Sequence, residues 1–280
     1  PEQKRAVTFA RRNIIVSAVV IVLVPLVGRL LDSIVFPRGY QIAYSVGFVA
    51  AMISTWGVWR FRVPGAVPGS PSSLLPTREK GGVRVLRHFL AKNSGYVRII
   101  VNTFLFGWGA WMVGPLYIIY YLRQLGATDG WVGTLTAVAN FSAMLGYYIW
   151  QKLIGRWGEN RVLRRTIPTG GIFPFCVAAS RGLTPILAAA VVDGLLMSGV
   201  NLSHFNILLK VCPVERRTSY ISLYTVMMNA GAFVAPLLGV ALADRIGINS
   251  VLLIGGVIRT LGGLLFWLWP VRVTDSVSQR

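Results

Sequence analysis

The sequence predicts an all-α, polytopic transmembrane bundle of about eight helical spans, and three observations carry that prediction. Of 280 residues, 54% are hydrophobic and only 13% charged, with a mean hydropathy of +0.62, outside the range of a soluble domain. The apolar residues come in blocks of about 20, the length a helix needs to cross roughly 30 Å of hydrocarbon. Lys and Arg collect in alternate loops between those blocks. The net charge of +19 is therefore divided among loops, and it points to a lipid bilayer as the partner and not to nucleic acid.

The blocks run over 14–36, 40–60, 97–121, 131–153, 166–181, 185–209, 219–243 and 249–270. Backbone groups in lipid must be satisfied within their own segment, so each block is expected to be helical. Turn residues separate them: Pro37 and Gly39, Gly126 to Gly130, Gly182 to Pro185, and Gly247 to Asn249. The fifth block is short and carries Pro168 and Pro174. With this assignment 22 of the 28 Lys and Arg fall on one side and 4 on the other, while Arg29 and Arg259 lie inside spans. Such a bias places both termini in the cytoplasm, in an inner or plasma membrane.

Residues 61–96 form the one long loop. Val63 to Pro76 is rich in Pro, Gly and Ser and reads as an extended linker. From Arg84 to Lys92, helical spacing gathers Val83, Leu86, Phe89 and Leu90 opposite Arg84, Arg87, His88 and Lys92. That pattern predicts an amphipathic helix on an anionic leaflet. Residues 273–280 are a short cytoplasmic tail. The start at Pro1, without Met or a signal-peptide pattern, reads as a truncated or processed end.

The first two spans repeat in the last two. Pro1-Glu-Gln-Lys-Arg5 matches Pro213-Val-Glu-Arg-Arg217, and Val24-Pro25-Leu26-Val27-Gly28 matches Ala235-Pro236-Leu237-Leu238-Gly239. Asp32 matches Asp244, and Gly39 to Trp59 matches Gly247 to Trp267 at equal separation. The order is shared and the offset nearly constant. Residues 1–60 then read as the last two helices of one half, 61–96 as the connector, and 97–272 as a complete six-helix half.

On these residues the chain resembles the major facilitator superfamily. A Pro-x-x-x-Arg stretch before the first and seventh spans is similar to the family's stretch before its fifth and eleventh helices. Leu125 to Gly133 resembles the outer turn between the seventh and eighth helices. Leu153-Ile-Gly-Arg-Trp-Gly-Glu-Asn-Arg161 resembles the cytoplasmic Asp-Arg-x-Gly-Arg-Arg loop, with Gly155 standing where the Asp would be. Arg156, Gly158 and Arg161 are the gating-loop residues that remain. The resemblance implies four more helices upstream of Pro1 and secondary transport of a small solute by alternating access. Protons are the candidate coupling ion. The alternative is a non-transporting membrane scaffold, or a pigment- or lipid-handling protein, that keeps the fold.

Charges within spans are the first candidate site residues, because an ion in hydrocarbon costs several kcal/mol unless paired. Asp193 and Arg259 lie at matching depths, either as a fixed salt bridge or as a proton or substrate site, and Arg259 shares a face with Gly255 and Gly263. His204 can titrate near neutral pH. Asn102, Asn140, Asn201 and Asn229, with Trp108 and Trp111, are the candidate cavity lining, each with interhelical packing as its other reading. Arg29 and Asp32 are one turn apart and suited to pair or snorkel. Gly231, Ala235, Gly239 and Ala243 make a small-residue stripe for close helix packing. Cys176 and Cys212 read as packing residues. No phosphate loop, metal cluster or nucleophile elbow is present in the sequence, so neither cofactor nor enzymatic chemistry is expected.

Overall fold

A computed structural model describes residues 2–60, 94–212 and 217–271, with side chains from residue 11 onward. The expected interfacial helix within 61–96 and the tail 273–280 lie outside the described residues. Among the described residues nine α-helices follow in order: α1 (Glu2–Ser33), α2 (Arg38–Trp59), α3 (Ser94–Ile119), α4 (Asp129–Trp157), α5 (Glu159–Thr166), α6 (Ile172–Ala179), α7 (Leu183–Val211), α8 (Arg217–Ile246) and α9 (Ile248–Leu268). A π-helical turn, Tyr120–Gln124, extends α3, and a 3-10 turn, Ile167–Gly171, joins α5 to α6.

Six helical segments among the described residues are long and apolar enough to cross a membrane: Arg11–Ser33, Arg38–Trp59, Ser94–Gln124, Leu183–Val211, Arg217–Ile246 and Ile248–Leu268. The chain is an integral membrane protein. Of the other two expected spans, 131–153 is one continuous helix, α4, which lies outside the set of six. The span expected at 166–181 is broken. Pro168 lacks an N–H and Gly170 and Gly171 hold a helix weakly, so the chain tightens into a 3-10 turn between two eight-residue helices.

Helix ends follow local chemistry. Thr128, in extended conformation, accepts the Trp131 N–H at 3.1 Å as the N-cap of α4, and Asp129 adds negative charge to the first turn. Gly158 turns α4 into α5 at φ 79°, a left-handed conformation that a side chain disfavours.

Residues 94–271 form a bundle in which α4 packs on α7, and α3 packs between α8 and α9. One apolar cluster around Tyr96, Ile99, Ile207 and Phe266 fills the end that carries the basic loops. A second, around Leu116, Val177, Ile186 and Leu252, fills the far end. The small-residue stripe of α8 is buried as expected and faces α3: Gly231 meets Phe104 and Trp111, and Gly239 meets the Met112 carbonyl.

The face of α9 is split. Gly262 lies against the Phe106 backbone of α3, whereas Gly263 lies against Ile167 and Pro168 of the broken span. Lacking Cβ atoms, these glycines let two backbones approach α9 from different sides. The α1 helix packs along α4, with Gly28 against the Asp129 carbonyl and Pro25 against Gly133. Large side chains such as Phe233 and Leu237 on α8 and Phe141 on α4 point outward and are exposed, the pattern of a lipid-facing surface.

Candidate functional site

Mid-depth in the bundle, between the two apolar clusters, Arg259 projects from α9 where α3, α7 and the 3-10 turn converge. Its Nη2 is 3.2 Å from Met197 Sδ of α7, and its Cζ stands 5.0 Å from the Phe106 ring centroid of α3. Gly109 packs against its backbone N and Cβ. Nε is buried and has no hydrogen-bond partner among the described residues. A thioether is a weak acceptor and an aromatic face is a soft counter-charge, so this guanidinium is only partly satisfied.

Asp193 lies about one turn before Met197 on α7, roughly 6 Å nearer the far end. It does not form a salt bridge with Arg259, although the guanidinium acts on its carboxylate through space. Tyr117 of α3 completes the group. Both charges act on its hydroxyl, which is buried and without a partner among the described residues. Its ring stacks on Tyr121 at 6.1 Å and meets Phe173 of α6 edge-on at 5.3 Å.

His204 sits apart from this group, nearer the basic end of α7. Its Nε2 is 2.7 Å from Thr103 Oγ1, and its ring lies 6.0 Å from Tyr224 and 6.4 Å from Phe266.

The asparagines go separate ways. Asn102 is fully buried and donates to the Trp269 carbonyl at 3.1 Å, while its Oδ1 is unpartnered. Together with Arg98, which donates to the Pro270 carbonyl at 3.0 Å, it ties the start of α3 to the end of α9. Asn140 donates to Thr136 of its own helix. Asn201 reaches the Tyr147 hydroxyl at 3.5 Å, and Asn229 is exposed. No hydrogen bond joins any two of these four. Trp108 lies tilted against Phe104 at 5.4 Å, and Trp111 packs over Gly107 and Gly231.

At the basic end, Arg156 and Arg161 are exposed on either side of Gly158. The loop is pinned by their neighbours instead. Glu159 pairs with Lys210 of α7 at 3.1 Å, and Arg165 covers the Trp157 ring at 4.9 Å.

At the far end, Asp32 does not turn back to Arg29. It accepts the Gly130 N–H of α4 at 2.9 Å, while the Tyr40 hydroxyl donates to Asp129 at 2.9 Å. Local spacing allowed either an Arg29 pairing or a snorkel to the interface. The free N–H groups at the α4 N-terminus offered Asp32 a better partner.

Sequence reasoning missed Tyr117, Met197, Phe106 and Glu159. The Pro168-Thr-Gly-Gly171 run was a usable signal for the break beside Arg259. Nothing in the sequence marks the Met197 contact.

A polar group enclosed by apolar helices, one of them interrupted at mid-depth, is the internal architecture of membrane solute carriers. The model of the Major Facilitator Superfamily matches residues 99–279, and the chain belongs to that family. No curated protein matches the chain.

Proposed function

We propose that the protein carries a small solute across the membrane as a secondary transporter, by alternating access between a half ending in α1 and α2 and the half formed by α3 to α9. The observation that carries this reading is the partly satisfied Arg259, Asp193 and Tyr117 group at mid-depth beside a broken helix, in a member of a transporter family. Irregular backbone at membrane depth is tolerated where protein buries it or where it lines a cavity, and interrupted helices mark solute sites in such carriers. The far-end contacts of Asp32 and Tyr40 with α4 then form the closing seam between halves. The loops bearing Arg156, Arg161 and Lys210 face the cytoplasm, as do both termini, and α4 and the α5–α6 pair complete eight crossings. Asp193 is the proposed proton-coupling group, with His204 as a second candidate.

The test is solute-driven proton movement in proteoliposomes loaded with a pH-sensitive dye. Carboxylates, amines and sugars are supplied in turn under an imposed gradient. Asp193→Asn is expected to abolish solute-dependent proton flux. Full flux in that variant sinks the proton-coupling role, and no flux with any solute sinks the transport reading. A scaffold or lipid-handling role draws on one observation: Asn140 is spent on its own helix and Asn229 is exposed, so these two do not converge on an inner wall.

A further inference from the structure

We propose that Arg259, with the Tyr117 hydroxyl, forms a recognition site for the carboxylate of a small monoanionic organic acid inside the six-helix bundle. The inference rests on the transport reading only in treating the ligand as a solute that is carried; the binding chemistry stands on the geometry.

Two buried donors lack acceptors among the described residues: Nε of Arg259 and the hydroxyl of Tyr117. Both call for the same ligand chemistry, an oxygen acceptor. A guanidinium offers five N–H donors in a planar fork and matches a carboxylate bidentately. Among the described residues its close side-chain partners are the Met197 thioether and the Phe106 face, which neither neutralise it nor saturate its donors. An intramembrane arginine in that condition is a functional group awaiting a counter-ion.

The backbone of the 3-10 turn runs close beside the fork. A Cβ at Gly170 would lie 3.1 Å from Nε and against the Phe106 ring, so any other residue in the 3-10 turn would crowd the donor. Asp193 sets the charge of the ligand. It makes no ion pair with Arg259, which leaves the single guanidinium charge for the ligand to meet. A monocarboxylate adds one negative charge in direct contact with the fork. A phosphate or dicarboxylate would add a second with no cation to meet it. Phe106, Tyr117 and Phe173 supply aromatic surface near these donors, which suits an acid with an apolar or aromatic body.

The experiment is equilibrium binding of radiolabelled benzoate to the purified full chain in lipid nanodiscs, with benzamide and benzylamine as neutral and cationic competitors of similar shape. Benzoate is expected to bind saturably, and both competitors to be at least roughly tenfold weaker. Arg259→Gln should weaken benzoate by roughly tenfold or more, with Arg259→Lys in between. Tyr117→Phe should weaken it by roughly three- to tenfold. If Arg259→Gln does not stay monodisperse, Tyr117→Phe carries the test, because it removes one oxygen and leaves the ring packing in place. Equal competition by benzamide or benzylamine overturns the proposal. So does unchanged affinity in Arg259→Gln or, where that variant does not stay monodisperse, in Tyr117→Phe, or no saturable benzoate binding at millimolar concentration. Binding that persists in a protein showing no solute flux sinks transport and leaves this site standing; flux of amines or sugars without benzoate binding does the reverse.

Discussion

The second helix and the last occupy equivalent places in the internal repeat, yet they have opposite surroundings. In α9, Gly255, Gly256, Gly262 and Gly263 are buried, and each lies against a neighbouring helix, the broken span, or both. In α2, Gly47 and Gly57 have no atom within reach of a would-be Cβ, and Gly39 is its one buried residue. Phe48, Ile53 and Val58 point outward at 64–71% exposure. The same apolar, glycine-bearing pattern thus makes an embedded helix in one case and a bare one in the other. Glycine spacing states that close approach is possible; only a partner with a matching ridge makes it happen.

The sharpest way to break this contrast is to add one methyl group at equivalent levels of glycine content. At Gly262 a Cβ would fall on the Phe106 main chain, which cannot rotate away. Gly262→Ala is expected to destabilise by about 1–3 kcal/mol or more, as overpacking does. At Gly47 the methyl meets nothing, so Gly47→Ala should be neutral or stabilising by up to about 1 kcal/mol through helix propensity. Thermal melting of both variants in detergent, followed by size-exclusion chromatography, reads the difference. A loss at Gly47 as large as that at Gly262 would show that α2 is packed against something at that level.

Next in size is the far-end attachment, which is where α2 touches the rest of the protein beyond α1. Asp32→Ala removes the acceptor of the Gly130 N–H, a loss of about 0.5–2 kcal/mol by analogy with an N-cap. Tyr40→Phe removes one hydrogen bond to a carboxylate, about 1.5 kcal/mol. The more telling readout is geometry. Spin labels at Val46 and Leu145, both exposed, should give a broader distance distribution in Tyr40→Phe, whereas a pair within α4 and α7 should not change. An unchanged distribution would mean that the α1 contacts alone orient α2.

What the sequence made legible follows the same division. Helix existence was readable because lipid forces about 20 apolar residues into every crossing, and observed ends fall within a few residues of expectation for α2, α7 and α9. The stripe of α8 was readable because four-residue spacing fixes one face before any partner is known. Partner choice was not. Asp32 has Arg29 one turn away in sequence, but in the fold it meets the α4 N-terminus, 98 residues on. Arg259 and Asp193 were matched by depth alone, and depth does not specify azimuth: the guanidinium turns toward Met197, one helical turn from the carboxylate. Residues 166–181 were expected as one span because hydropathy is blind to the break that Pro168 and the glycine pair impose.

The smallest effect separates the basic ends of the two compared regions. On α2, Arg60 stacks on Trp56 of its own helix at 3.9 Å, a contact that ties nothing across helices. In the bundle, Glu159 and Lys210 join the loop after α4 to the end of α7, with side chains 23% and 33% exposed. A pair that wet is worth about 0.2–1 kcal/mol. A double-mutant cycle with Glu159→Gln and Lys210→Met should therefore return a coupling in that range, and it should shrink as salt is raised, since the charges are within reach of solvent ions. Both single variants should keep the bundle folded. A coupling above about 2 kcal/mol that resists salt would place the pair in a drier setting than an exposed ion pair, and would make the basic end of the bundle as tightly held as its glycine-packed interior.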